Sequence, residues 1–203
     1  MKDVVWYSGV AQGYSATRGE RTYFIQIPDP CQSKLDDYAV AHEMTHCIFY
    51  DQGFPLLSLE TAYCKNQRAA EMAEAIQTML HDILVQDYLG QRGYRLKRFF
   101  IREKDEEREK LSALGREPDQ EFDVWLWRFN FASAVLDWHQ INPNSEPEYF
   151  TWYASRFPNI AREGREIAGF VLGSDGFSSP EKMTLLLSAI LKRYDLSGYF
   201  KSL

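Results

Sequence analysis

The chain has 203 residues, 45% of them hydrophobic and 15% aromatic, which is enough to close one core, so a single domain is expected. With 29 acidic against 23 basic residues and a formal charge of −6, it excludes broad electrostatic attraction to nucleic acid or to an anionic membrane surface. No apolar run suits a signal-peptide core or a membrane span, and Cys31, Cys47 and Cys64 are widely spaced without a CxxC pair, so a cytoplasmic protein without a disulfide framework is expected.

The first thirty residues contain two extended candidates, Val4 to Tyr7 and Thr22 to Ile27. The second is β-branched and aromatic and is closed by Pro28-Asp29-Pro30, as a strand running into a turn would be. A small N-terminal sheet follows. Ser33 is a candidate N-cap, with Asp36 three residues on, for a helix over Leu35 to Asp51 that stops at Gly53. A loop to about Lys65 precedes a second helix from about Asn66 to Leu89, closed by Gly90. Its apolar side is Ala69, Met72, Ala73, Ile76, Met79, Leu80 and Ile83, and its polar side is Gln67, Glu71, Glu74, Thr78 and His81.

The mixed charge run Arg102 to Lys110 reads as solvated. Beyond it the spacing predicts helices over Phe122 to His139, Glu146 to Arg156, Ile160 to Leu172 and Glu181 to about Tyr194, the last with Ser179 as N-cap and Pro180 in the first turn. Trp125, Trp127, Phe129, Phe131 and Trp138 are too dense for one stripe, so that helix is expected to be buried on more than one side.

Residues 42 to 46 read His42-Glu43-Met44-Thr45-His46 inside the first helix. Histidines four apart lie on one helical face, about one turn from each other, and so can chelate a single Zn²⁺. Glu43 projects beside the metal without ligating it and suits a general base acting on water. A chance match is the alternative. It is disfavoured by the uncharged Met44 and Thr45 and by the apolar flanks Ala39-Val40-Ala41 and Cys47-Ile48-Phe49, which make this a core helix.

On these residues the chain resembles the zincin metallopeptidases, over about residues 20 to 90. The resemblance implies Zn²⁺ bound by His42 and His46, Glu43 as general base, and a peptide or protein substrate lying along an edge strand such as Thr22 to Ile27. The stretch after His46 lacks the Gly and third His of the metzincins, which excludes that branch. The gluzincin-like arrangement takes a Glu from the following helix: Glu74 is favoured, because Thr78 and His81 continue its face, with Glu71 as the alternative third ligand and His81 an outside one. The run Arg68 to Ala75 also resembles the second helix of compact intracellular zincins that cleave repressors, with Ile76 in place of an Asn.

His139 reads as a helix-end cap or buried residue, and neither Tyr63 nor Tyr153 stands out as a transition-state donor. Gly164 and Gly169 to Gly173 make no dinucleotide fingerprint, and Ser174, Ser178 and Ser179 read as a loop. The expected fold is α+β: one mainly helical zincin-like domain over residues 1 to 203, with sheet, metal-site helix and third-ligand helix in 1–95 and an aromatic helical bundle in 96–203. The expected activity is zinc-dependent peptide hydrolysis. A zincin-like regulatory or toxin-associated binding module with little turnover is the alternative.

Overall fold

The helix carrying the histidine motif, α1 (Asp37–Asp51), is defined by signals at both ends. Asp36 is its N-cap, and its carboxylate accepts the backbone N–H groups of Tyr38 and Ala39 at 3.0 and 3.2 Å. At the other end Gly53 takes φ 86°, which lets Phe54 N–H reach back to the Phe49 carbonyl, and the two rings then pack 5.4 Å apart. The computed structural model describes residues 2–8, 14–19, 22–29 and 36–201. The expected cap Ser33 and the expected helix start at Leu35 therefore lie outside the described residues, whereas Asp36 does the capping.

Three strands form a sheet that packs on α1 through β2 and β3: β1 (Asp3–Ser8), β2 (Ser15–Arg18) and β3 (Thr22–Ile27). The order is β1-β3-β2, with β1 parallel and β2 antiparallel to β3. Alternation along β3 turns Tyr23 and Ile25 inward, where they form a small cluster with Cys47 and Tyr50 of α1. This corrects one expectation. Thr22 to Ile27 is the central strand, with both edges already paired, and the edge strand that packs on α1 is β2, whose four residues carry no strand signal in the sequence.

The long helix α2 (Gln67–Gly90) starts at Asn66, whose side chain accepts Ala69 N–H at 3.2 Å. Then come α3 (Leu96–Ser112), α4 (Glu121–Ile141), α5 (Glu148–Arg156), α6 (Pro158–Leu172) and α7 (Pro180–Arg193). Pairing of Arg68 with Asp123 near one end and of Gln140 with the Ile83 carbonyl near the other makes α2 and α4 run in the same direction, with α3 as the crossover between them. Met72, Ile76, Met79 and Leu80 of α2 are buried against Phe129 and Leu136 of α4, Ile167 and Val171 of α6, and Leu187 and Ile190 of α7. A second cluster joins Phe131 and Trp138 of α4 to Phe100, Phe150, Tyr153 and Phe157. The aromatics of α4 thus divide between two cores, which accounts for their density.

The architecture is α+β and mainly helical. The charge run is part of α3 and is not uniformly solvated: Lys104 is buried, and its ammonium donates to Glu107 at 2.8 Å and Glu103 at 3.1 Å. Among the described residues no helix is long and apolar enough to cross a membrane.

Candidate metal centre

One turn of α1 separates His42 from His46, and their Nε2 atoms lie 3.1 Å apart. The third member of the group comes from α2 and is Asp82. Its Oδ1 lies 3.4 Å from His42 Nε2 and 3.2 Å from His46 Nε2. Asp82 is buried, and this oxygen has no hydrogen-bond partner among the described residues. Donors held at about 2.0–2.1 Å around a tetrahedral Zn²⁺ are about 3.3 Å from one another. The His42–His46–Asp82 triangle has that edge length, and its nitrogen and oxygen donors are of the type Zn²⁺ takes. Among the described residues it is the group of three or more His, Cys, Asp or Glu side chains close enough to hold an ion.

Glu74 and Glu71 are not in this group. Glu74 lies two turns before Asp82 on α2 and is exposed on the wall of the neighbouring cavity. Glu71 is nearer the start of α2, where Gln67 and Arg68 engage its carboxylate at 2.9 and 2.6 Å. The reason is helical rise: eight residues separate Glu74 from Asp82, or about 12 Å along the axis. The crossing of α1 over α2 falls at the later level. Asp82 carries a sequence signal of its own, as a carboxylate that with His81 interrupts the apolar run Met79 to Val85, at i+4 from Thr78 on the polar strip.

The electrostatics follow from burial and proximity. Burial opposes the charge on His42, but the Asp82 carboxylate outweighs it and lifts the imidazole to about 9. Burial opposes the charge on Asp82 as well, yet the facing His42 and His46 hold its carboxyl well below the usual range. Burial raises Glu43, while His42, His46 and the Ala16 backbone N–H on β2 pull the other way. His81 is pushed down to about 4 by burial and by His46. Its Nε2 donates to the Pro55 carbonyl at 3.0 Å. That bond turns His81 away from ligation through Nε2.

A cavity of about 800 Å³ opens beside the histidines. His42, Glu43 and His46 line it from α1, Ala16 and Arg18 from β2, and Gln77 from α2. Leu56 to Leu59 form another wall, which is braced by the C-terminal residues: Glu60 N–H bonds the Tyr199 carbonyl and Lys201 N–H the Ser58 carbonyl, both at 2.9 Å. His139, Tyr153 and Tyr63 lie off this cavity. His139 is exposed at the end of α4, Tyr153 is buried in the second aromatic core, and Tyr63 packs on Phe122 and Tyr199.

Compared with known proteins, the chain matches no protein-family model, no curated protein and no solved structure. The functional reading therefore rests on the site itself.

Proposed function

We propose that the protein is a zinc-dependent hydrolase of the zincin type that cleaves peptide bonds, with His42, His46 and Asp82 as metal ligands and Glu43 as general base. The observation that carries this is the donor triangle at zinc-ligand spacing, with Glu43 beside it on the wall of the same open cavity. A Zn²⁺ ion bound there supplies Lewis acidity, which makes water a nucleophile near neutral pH and polarises the scissile carbonyl. Glu43 takes one proton from that water on a carboxylate oxygen while the water oxygen bonds to the carbonyl carbon. As the carbon–nitrogen bond breaks, the same carboxyl returns the proton to the departing amine. The β2 edge and the Leu56 to Leu59 segment border the space in which an extended peptide would lie.

The test is a comparison of wild type with Glu43→Gln on a mixed pool of quenched fluorescent peptides, with zinc content measured on both. The expected result is one equivalent of zinc in each protein and cleavage lowered at least about 10²-fold in the variant, the usual cost of losing a general base. Cleavage unchanged in Glu43→Gln would remove Glu43 as the base, and zinc binding with no cleavage by the wild type would leave a metal-containing binding module as the better reading.

A further inference from the structure

Peptide hydrolysis builds negative charge on the carbonyl oxygen, and a donor aimed at that oxygen stabilises it more than it stabilises the resting substrate. Two side chains outside the His-Glu-x-x-His stretch set their rings against His46: His81, at 6.1 Å between centroids, and Tyr50, at 6.0 Å. His81 has its Nε2–H committed to the Pro55 carbonyl. Tyr50 differs. Its residue is 6% exposed, and it lines the cavity one turn after His46 on α1.

The hydrogen-bond direction at Tyr50 is set by a chain of partners. Leu57 N–H is a donor only, and it lies 3.0 Å from Gln77 Oε1, so the amide of Gln77 must present its oxygen there. The amide nitrogen Nε2 therefore faces Tyr50 and donates to the phenol oxygen at 3.3 Å. The phenol oxygen is an acceptor in that bond, and no described residue accepts its hydrogen. What remains is a buried O–H donor at the cavity surface, held in place by a backbone-anchored glutamine.

We propose that Tyr50 is the oxyanion donor of the hydrolytic site, giving its O–H to the carbonyl oxygen as charge develops there, and that Gln77 is a positioning residue that orients the phenol. This rests on the hydrolase reading above. No covalent bond to Tyr50 forms or breaks; its proton stays on the phenol and is shared with the substrate oxygen.

The experiment compares wild type, Tyr50→Phe and Gln77→Met in two ways. Inorganic phosphate, a tetrahedral oxyanion, is titrated into Co²⁺-loaded protein and followed by the visible absorption of the metal. Separately, kcat and KM are measured on one peptide cleaved from the mixed pool. In Tyr50→Phe, metal stoichiometry is expected to be unchanged, phosphate to bind at least about tenfold more weakly, and kcat to fall about 10²–10³-fold with KM nearly constant, the cost of losing one oxyanion donor. Gln77→Met keeps the phenol and frees it to rotate, so a smaller loss in both readouts is expected. Phosphate binding equally to wild type and Tyr50→Phe, or not binding to wild type at all, overturns the role of Tyr50. A metal-loaded wild type that cleaves no peptide instead overturns the hydrolase reading, while the phosphate titration still decides whether Tyr50 faces an oxyanion.

Discussion

Asp82 and Glu74 share one helix and differ by two turns, and that difference decides which of them meets the motif histidines. Asp82 Oδ1 stands 3.2 and 3.4 Å from the two Nε2 atoms, whereas Glu74 is exposed on the cavity wall. Asp82→Asn is therefore expected to weaken zinc binding by more than the roughly 10–100-fold that loss of an outer-shell partner costs, with Glu74→Gln close to wild type. Competition against a chromogenic chelator measures both, and a larger loss in Glu74→Gln would reverse the assignment. The residues of the motif were legible because their spacing alone sets their geometry: a four-residue step on a helix leaves little freedom. The third group was not, because its position depends on where two helices cross. Tyr50 is not legible for a related reason. As one of twelve tyrosines it carries no mark in the chain, and only the Leu57 and Gln77 contacts give its hydroxyl a direction.

Helices with written ends were equally legible. Ser179 and Pro180 mark α7, and Gly53 marks the stop of α1, because capping chemistry is local. Pairing partners are not local, so neither the central place of β3 nor the pairing of β2 with it is legible in the chain. The charge run hid a buried lysine, since Lys104 turns inward only where α3 meets α4. Contact between α4 and α6 gives a test at this scale. A Cβ at Gly164 would lie 2.9 Å from Phe131 Cδ1 and 3.0 Å from the Arg128 carbonyl oxygen, and the latter is backbone that cannot swing aside. Gly169 is on the same helix and would meet nothing within 4 Å. Gly164→Ala should destabilise by about 1–3 kcal/mol through overpacking. Gly169→Ala should stabilise by up to about 1 kcal/mol, because alanine restricts the unfolded chain more than glycine does. Urea unfolding of the two variants reads the contrast, and equal midpoints would mean that the helices separate at little cost.

At the scale of the whole molecule, the donor triangle ties together two packing units. α1 closes the small cluster under the sheet, and α2 is the spine of the main core. An ion held by both helices stabilises the folded chain by an amount that grows with free metal, reaching about 4 kcal/mol at a thousandfold excess over Kd. The pH dependence has a definite sign. Without metal, His42 is lifted to about 9, so the stability gained from its charge is fully present below its ordinary value of about 6.5 and is lost as pH rises toward 9. Asp82 is lowered, so its contribution is present above the usual carboxylate range and is lost in acid. Zinc requires neutral His42 and must displace that proton at any pH below about 9, so its apparent affinity should rise by about tenfold per pH unit in this window, with close to one proton released per ion. The two trends act together. From pH 6.5 to 8.5 the melting temperature of chelator-treated protein should fall while the upward shift on adding zinc at fixed concentration widens. Melting curves across that range, with calorimetric titration in two buffers of different ionisation enthalpy to count protons, measure both. A zinc-induced shift that stays flat with pH would show that His42 is already neutral before the metal arrives.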